Sequence, residues 1–576
     1  MHIGSAMRWR PKKRLLMIGA GLALVAGVVP AMAAGDTLVS TGSPPTTFPQ
    51  NKQNEPAIAV DANNPSIMAA GANDEIDLAP CDGNSCPFTF GIGVSGIYFS
   101  TDGGASWTQP TYTGRSARTG TTMPHGPIGT LPNYAEAGLT SDGDPALAFG
   151  PKPGPNGFSW SSGSRLYYAN LTSNLFAKRN ETFKGFEGIA VSHTDNVASA
   201  AAGNNSAWSP PVIASHQSST VFSDKEQIWA DNAASSPFFG HVYVCNAAFR
   251  SQEKSFHAIP APLVEVTSTD GGNTWTQHQI SAAANNGQVN PPDGCTIRTD
   301  SHGVVYVFGI GFANGKASEM MSRSFDGGQT FQPFRVLFTV VKPGVFDAAL
   351  GRPTMDGVAG ARADLAAAPS VDIANGAPSG ADATNELLLN WSDARFGLNN
   401  EKSLLSYSTN QGQSWSTPPQ VVSSIGDRPI YTAVAISPNG TDAYVTYDAF
   451  LEPYQATTAA PRHLQGVVTH ADIGAGGTPG AFGELNRGMS GDARGTSQND
   501  LTAEFLGDYV YAVATRTAAA AVWNDARNAA DCPAIDAYRM FVEGGPAAPR
   551  PAPLTDCPAT FGNSDIFGGA FPDPTP

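Results

Sequence analysis

Short apolar segments recur through most of the chain, separated by turns rich in Gly, Asn and Pro. Many of them alternate apolar and polar residues with the period of two that a half-buried strand requires. Six segments stand at matching places and predict the second strands of a repeated unit: 164–168, 241–244, 304–308, 386–391, 443–447 and 519–523. Almost nothing has the 3.6-residue period of an amphipathic helix, so the pattern predicts an all-β protein.

An octapeptide of pattern S-x-D/N-x-G-x-S/T-W/F occurs four times, at 100–107, 268–275, 324–331 and 408–415. The Asp or Asn side chain can accept hydrogen bonds from nearby backbone amides, and the glycine allows a positive φ. The final aromatic side chain then returns to the core. We therefore expect a hairpin turn at each copy, with structural roles for Asp102, Trp107, Asp270, Trp275, Asp326, Phe331, Asn410 and Trp415.

A longer unit, which opens with a polar or acidic residue followed by an apolar strand, recurs seven times. The openings lie at 54–60, 143–149, 225–230, 292–297, 363–366, 427–434 and 504–509. The units average about 70 residues, which is room for four short strands and their loops. This repetition predicts a β-propeller with four-stranded blades. We favour seven blades, and six remain an alternative if the last unit shares a blade with the N-terminal segment.

The ends of the chain differ from the repeats. Five basic residues precede an apolar run at 15–29 and then Ala31-Met32-Ala33, which is typical of a signal peptide. We therefore assign 1–33 to a signal peptide, 34–53 to an extended segment, 54–543 to the propeller and 544–576 to a Pro/Gly-rich tail. This organisation predicts a secreted or periplasmic protein without a membrane span after cleavage.

Charge and cysteine content narrow the class further. Without the five basic residues of the leader, 28 Lys and Arg remain against 49 Asp and Glu, a formal charge of −21. This balance argues against a nucleic-acid partner, and we expect a soluble monomer. Local pairing of the six cysteines predicts three disulfides, with other pairings open, since spacing alone does not decide connectivity: Cys81 with Cys86, Cys245 with Cys295, and Cys532 with Cys557.

The octapeptides resemble the Asp-box, or BNR, repeats of the sialidase superfamily. Further words, Asn54-Glu55-Pro56, Asp144-Pro145, Trp391-Ser392-Asp393-Ala394-Arg395 and Phe505-Leu506-Gly507-Asp508-Tyr509, resemble exported bacterial members of that group. The resemblance covers about residues 50–543 and implies a propeller whose Asp boxes lie at the blade periphery, away from the channel face. It does not imply one activity, because the repeats occur in glycosidases, glycan-binding proteins and sorting receptors.

The resemblance also implies what a sialidase active site would contain: three arginines for the substrate carboxylate, a Tyr activated by a Glu, and an Asp as acid and base. The first arginine normally stands in an Arg-Ile-Pro word. Here Glu55-Pro56-Ala57-Ile58 occupies that place, which argues against sialic-acid hydrolysis. The arginines near predicted inner strands could supply cations or simply pair with acids: Arg298, Arg362, Arg428 and Arg516.

Acidic residues open the predicted innermost strands and should face the central channel: Glu55, Asp144, Asp224 with Glu226, Asp293, Asp364, Asp427, and Glu504 with Asp508. Like charges around a mouth raise one another's pKa and attract cations, so they could form a carboxylate pair for glycoside cleavage or a calcium site. Alternatively, each acid caps its own strand.

We assign candidate catalytic roles to Glu504, Asp508, Tyr509, Asp224 and Glu226, and candidate substrate contacts to Glu55, Asp144, Asp293 and Arg428. Glu beside Tyr is the combination that an activated phenol requires. The sequence predicts a propeller that acts on or binds extracellular glycans through its channel face and requires no cofactor, although calcium could bind. The alternative is a non-catalytic scaffold for protein or peptide, which calcium could stabilise.

Overall fold

The computed structural model describes residues 35–576 except 84, 87, 121–122, 176–181, 184, 186, 217–220, 251–261, 283–289, 358–360, 498–499 and 503–504. The predicted signal peptide and Glu504 lie outside the described residues. Strands dominate the described part, so the all-β prediction is confirmed.

The first three sheets contain the N-terminal third of the chain. Strand β1 (Thr37–Leu38) comes first and pairs elsewhere. Blade one consists of β2 (Gln53–Val60), β3 (Met68–Asp74) and β4 (Ser95–Ser100), and a bridge between Phe99 and Thr108 stands in place of a fourth strand. A separate hairpin follows with β5 (Tyr112–Ser116) and β6 (Met123–Ile128). Blade two contains β7 (Leu139–Gly154), β8 (Gly157–Asn174), β9 (Gly188–Thr194) and β10 (Val212–Ser215), with helix α1 (Val197–Ala201) before β10.

The middle blades are regular four-stranded sheets. Blade three contains β11 (Val221–Ala230), β12 (Val242–Arg250), β13 (Leu263–Ser268) and β14 (Thr276–Gln279). Blade four contains β15 (Asn290–Thr299), β16 (Val305–Ala313), β17 (Lys316–Ser324) and β18 (Arg335–Thr339). After a small hairpin of β19 (Val345–Asp347) and β20 (Arg352–Thr354), blade five contains β21 (Ser370–Ile373), β22 (Leu387–Asp393), β23 (Lys402–Ser408) and β24 (Gln420–Val421).

The last two blades complete the ring. Blade six contains β25 (Arg428–Ile436), β26 (Asp442–Phe450), β27 (His463–Gly474), and the short β28 (Thr478–Pro479), β29 (Gly483–Arg487) and β30 (Gly491–Asp492), which all pair with β27. Blade seven has the order β1, β33 (Asp565–Pro572), β32 (Ala518–Asp525) and β31 (Tyr511–Ala514). Helices α2 (Pro533–Val542) and α3 (Pro553–Asp556) lie between β32 and β33.

The innermost strands form a closed ring. Strands β2, β7, β11, β15, β21, β25 and β31 contact one another in this order, and β31 contacts β2. The prediction of seven blades is therefore confirmed, and the six-bladed alternative is not. All six predicted second strands lie in the second strands of blades two to seven.

Segments from both ends of the propeller pair with each other in blade seven and close the ring. Strand β33, from the segment 544–576 that we expected to be a tail, is the third strand of blade seven, and β1 from the segment 34–53 is its fourth. Residue 543 therefore does not mark the end of the propeller. The end of the seventh predicted unit is not a hairpin but helix α2, since Pro533 opens this helix and Ile535 and Arg539 bury one face.

The four octapeptides adopt one hydrogen-bonded turn between the third strand and the fourth-strand position of blades one, three, four and five. In the first copy the Ser100 hydroxyl accepts the Gly104 amide at 2.8 Å and donates to Asp102 at 2.8 Å. Asp102 then accepts the amide of Ser106 at 3.0 Å. The same contacts recur around Asp270, Asp326 and Asn410. These side chains therefore serve the turns.

Cysteines form the three disulfides that local pairing predicts. Cys245 on β12 and Cys295 on β15 join blades three and four. Cys532 and Cys557 join the ends of the helical insertion, and Cys81 and Cys86 close a short loop. None of the described helices is long and apolar enough to cross a membrane.

Candidate functional site

Five of the inner strands contain a bulge near their first residues. The register of β2, β7, β11, β15 and β25 shifts there against the second strand of the same blade. One residue of each bulge has a positive φ: Glu55 at 54°, Asp144 at 50°, Lys225 at 56°, Gly294 at 55° and Tyr431 at 50°. Bulges redirect side chains out of the ladder, and this conformation is uncommon for residues other than glycine. The bulges therefore gather side chains from different blades at one end of the channel.

The Lys225 side chain lies at the centre of the side chains that these bulges bring together. Its Nζ is 2.9 Å from Asp144 Oδ2, 3.1 Å from Asp508 Oδ2, 3.3 Å from Glu55 Oε1 and 3.9 Å from Asp224 Oδ1. The lysine side chain is 11% exposed, and the Glu55 side chain is fully buried. One ammonium thus contacts carboxylates from blades one, two, three and seven, so a lysine places positive charge among the acids for which a calcium site was one alternative.

A second cation completes the cluster. Arg362 donates two hydrogen bonds to Asp508, from Nη2 at 2.7 Å and from Nε at 3.2 Å. The Asp508 amide donates to Glu55 at 2.9 Å, and Asn73 Nδ2 donates to the other oxygen of Glu55 at 2.7 Å. The two-point contact between Arg362 and Asp508 fixes the orientation of the Asp508 carboxylate plane.

The environment separates the pKa values of these acids. Burial and the neighbouring Asp144 raise the pKa of Glu55 well above its usual range. Burial, reinforced by Asp144, Asp293 and Asp508, raises the pKa of Asp224 to about 7 although Lys225 opposes this. Burial would also raise the pKa of Asp508, but Arg362 and Lys225 outweigh it and lower that pKa to about 2. At neutral pH Asp508 is ionised and Asp224 can hold a proton.

Two cavities meet at this cluster. The outer cleft has a volume of about 970 Å³ and the channel behind it about 670 Å³, and both volumes include space open to solvent. Both are lined by Lys225, Leu365 and Asp508. The outer cleft is lined by three further acids, three further cations and one aromatic side chain: Asp224, Asp293, Asp364, Lys342, Arg352, Arg362 and Phe312. A concave site with a few convergent polar groups is the usual form of a small-molecule site.

The connection between β18 and β21 builds the cationic wall of the cleft. It contributes Lys342, Arg352 and Arg362, and it also contains 363–366, which we predicted to open the fifth inner strand. That prediction was wrong, because the inner strand is Ser370–Ile373. Its Ser370 and Asp372 side chains accept the amides of Val434 and Ile436 on the next inner strand, which fixes the strand in the ring. Asp364 nevertheless lines the cleft.

The predicted catalytic residues divide between the two cavities. Asp224 and Asp508 line the outer cleft, while Glu226 and Tyr509 lie in the channel wall. Neither carboxyl oxygen of Glu226 has a hydrogen-bond partner in the described part of the chain, and this residue is 4% exposed. Burial, and then Asp144 and Glu55, raise the pKa of Tyr509 well above its usual value. The pairing of Tyr509 with Glu504 stays a prediction, because Glu504 lies outside the described residues.

The predicted substrate contacts have mixed outcomes. Glu55 and Asp144 bind Lys225, and Asp293 lines the cleft. Arg428 does not reach it, because this buried guanidinium pairs with Glu401 at 3.0 Å and donates to two backbone carbonyls.

The other predicted mouth residues are also held elsewhere. Asp427 pairs with Arg487 at 2.9 Å, away from the lining of both cavities. Arg516 pairs with Asp382, and Arg298 lies in the channel wall, 4.6 Å from the ring centre of Trp229. Of the four arginines we considered, only Arg362 lines the outer cleft. Three arginines therefore do not converge there from the predicted set.

Sequence reasoning missed Lys225 as the centre of the site. The signal was present, because Asp224-Lys225-Glu226-Gln227-Ile228 aligns residue by residue with Asn54-Glu55-Pro56-Ala57-Ile58. This alignment places Lys225, and not Glu226, at the position of Glu55. The roles of Lys342 and Arg352 had no such signal, since the connection that carries them does not repeat.

Comparison with known proteins identifies no family. No protein-family model matches the chain, and no curated protein does. Similar solved structures include a protein of unknown function from Dyadobacter fermentans, with 10% identity over 74% of this chain and 93% of that one and a TM-score of 0.38. Trypanosoma rangeli sialidase has 11% identity over 69% of this chain and 53% of its own, with a TM-score of 0.37.

An endosialidase of phage phi92 has 9% identity over 94% of this chain and 69% of its own, with a TM-score of 0.40. The chain spans about half the length of the Trypanosoma rangeli sialidase named above. Similarities of this size identify no activity, and one propeller architecture carries unrelated functions. The propeller assignment here rests on the chain's own strand pairing.

Proposed function

We propose that the protein acts on glycans that carry an anionic group, at the cleft of the channel mouth, as a glycoside hydrolase. The observation that carries the proposal is a pair of carboxyl groups, Asp224 and Asp508, that line one cleft within 3.9 Å of the same Lys225 Nζ. Burial raises the pKa of Asp224, whereas Arg362 and Lys225 lower that of Asp508 against the effect of burial. Such a division is the usual mark of an acid and its ionised partner. Arg352, Arg362 and Lys342 would bind the anionic group.

The separation of the pair supports this chemistry. The two carboxylates lie 3.9 and 3.1 Å from the same Lys225 Nζ, so these oxygens are at most about 7 Å apart, which brings both carboxylates within reach of one glycosidic bond. Asp224 would give its proton to the glycosidic oxygen as the bond to the anomeric carbon breaks. Asp508 would act on that carbon directly or through a water. Asp224 is the more exposed of the two, with 24% of its side chain accessible against 3%.

The test is sugar release from a panel of acidic and neutral aryl glycosides and polysaccharides by the purified protein. We expect Asp224→Asn and Asp508→Asn each to lower turnover by about 10²- to 10⁴-fold without a large change in melting temperature. Asp382→Asn, at the distant exposed pair with Arg516, is the matched control. Full turnover in both cleft variants would refute the assignment.

A non-catalytic glycan- or protein-binding scaffold is the second candidate. It is favoured by the two cations that hold Asp508, since such contacts also serve purely structural ends. Glycan binding without release of sugar, retained in Asp224→Asn, would support it.

We also propose where the protein is located and to which family it belongs. The predicted leader together with three disulfides supports a secreted or periplasmic protein. The four equivalent turns support membership of the Asp-box repeat proteins of the sialidase superfamily. Retention of the mature protein in the cytoplasm would overturn the first of these.

A further inference from the structure

A second cluster of polar side chains lies at the end of blade six that is opposite to the mouth. Asp442 opens β26, and its cross-strand partner Asp472 stands on β27 two residues after His470. Asp573, directly after β33 of blade seven, reaches the same place. His470 Nε2 lies 3.2 Å from Asp442, 3.8 Å from Asp573 and 3.9 Å from Asp472, and the four potential ligand atoms lie within 4.8 Å of one another.

A buried hydroxyl without a partner faces the cluster. Tyr444 is the cross-strand neighbour of His470, with ring centres 4.9 Å apart, and it is 1% exposed. Among the described residues its hydroxyl has no hydrogen-bond partner, which is costly for a buried polar group.

We propose that Asp442, His470, Asp472 and Asp573 bind a divalent transition-metal ion that clamps the end of the chain to blade six. One imidazole with three carboxylates suits Mn²⁺ or Zn²⁺, whereas Ca²⁺ prefers oxygen ligands alone. With metal–ligand bonds of about 2.0–2.2 Å, tetrahedral donors lie about 3.3–3.6 Å apart. Asp472 and Asp573, now 3.9 and 3.8 Å from His470 Nε2, must therefore both move closer, and the exposed Asp472 is free to do so. The Tyr444 hydroxyl would then bond a ligand carboxylate or a metal-bound water.

In blade six this cluster stands where four other blades have the octapeptide turn. In those blades a Ser and an Asp or Asn satisfy the turn internally, whereas here His470 and Asp472 lie on the third strand, β27. The partners of His470 and Asp472 lie in the segment after β33. There Asp573 donates its backbone amide to the Thr517 carbonyl at 2.9 Å, and Thr575 donates hydrogen bonds to both Asp472 and Asp573. A metal here would hold β33, and with it the closure of the ring.

Metal binding to the full-length protein, produced without a histidine tag and stripped with a chelator, tests the proposal. After dialysis against MnCl₂ or ZnCl₂, mass spectrometry should find about one bound equivalent, and the melting temperature should rise. Asp472→Asn, at an exposed position that the fold tolerates, should weaken binding at least about tenfold, and His470→Gln should do the same. Asp364→Asn, in the mouth cleft, is the matched control and should bind like the unchanged protein.

Three outcomes would overturn the proposal. The first is an unchanged protein that binds neither Mn²⁺ nor Zn²⁺, which would leave His470 as a simple partner of the acids. The second is unchanged affinity in both Asp472→Asn and His470→Gln. The third is loss of metal in Asp364→Asn alone, which would move the site to the mouth. Tighter binding of Ca²⁺ than of either transition metal would refute the choice of ion.

Discussion

Replacement of Lys225 by Met tests whether one ammonium holds four blades together at the mouth. The side chain is 11% exposed, and its Nζ has three carboxylates within 3.3 Å: Glu55, Asp144 and Asp508. Methionine keeps the length of the stem and removes the charge. The carboxylates would then face one another with only Arg362 to compensate Asp508, and removal of one partner of a buried ionic cluster leaves charge without compensation.

The expected loss is about 3–5 kcal/mol in the free energy of unfolding at pH 7. For a folded chain of about 540 residues, an unfolding entropy of about 2.1 cal/mol/K per residue converts this loss to a decrease of about 3–4 °C in melting temperature. Differential scanning calorimetry measures both quantities. Lys342→Met is the control, since Lys342 lies in the same cleft, donates to the Asp364 carbonyl at 3.1 Å and has no ion pair in the described part of the chain.

The loss should depend on pH with a definite sign. The folded pKa of Asp508 is lowered to about 2, so this residue stabilises the fold above its unfolded pKa of about 3.9 and loses that contribution as the pH falls toward 2. The pKa of Lys225 is raised, so its contribution is complete below about pH 10. The difference between the protein and Lys225→Met should therefore be large at pH 7 and shrink below about pH 4. A melting temperature within 1 °C of the unchanged protein at pH 7, or an equal loss at both pH values, would refute this reasoning.

Three further substitutions probe the frame of the propeller. Asp326→Ala removes the acceptor of one octapeptide turn and should cost about 0.5–2 kcal/mol, as loss of a helix cap does, measured by thermal melting; no change would mean that the turn holds without it. Serine at both Cys245 and Cys295 opens a loop with a sequence separation of 50 and should cost about 4 kcal/mol, checked by melting with and without reductant. Arg527→Met releases the N-terminal Asp36 and should increase amide exchange in β1 before any other strand; uniform protection across β1 and its neighbours would contradict that order of opening.

The frame of the fold was predictable because each blade repeats local signals. The glycine and Asp or Asn residues of the turns identified the four octapeptides, and the alternation of apolar and polar residues identified the second strands. The count of seven blades followed from their repetition. The closure of the ring was not predictable in this way. Strand β1 pairs with Gly568 and Phe567 of β33, which lie more than five hundred residues later in the chain. Helix α2 was missed because it belongs to an insertion between β32 and β33 of one blade alone, and a single copy has no repeat to compare with.

The candidate site was predictable only in part, for a similar reason. The acids at Glu55, Asp144, Asp224 and Asp508 stand at repeated positions, and the expectation that they meet at the channel mouth agrees with their contacts to Lys225. Which of them stays ionised depends on cations from elsewhere. Arg362 comes from a connection that occurs once, so its bond to Asp508 could not be inferred from any repeated word.

The mouth has features that simple closure of a ring does not require. A structural plug could be built from regular strands and neutral side chains, whereas here non-glycine residues at the bulges of β2, β7, β11 and β25 hold positive φ angles, which cost free energy. Glu226 is buried without a partner beside them in the described part of the chain, although hydrophobic residues would pack the wall more stably. Strained backbone, an unsatisfied carboxyl group and divergent pKa values occur together at functional sites because each is unfavourable for folding alone. Their coincidence at the cleft and the channel wall behind it is the reason to seek the activity there and not at the octapeptide turns, whose Ser and Asp or Asn side chains bond one another.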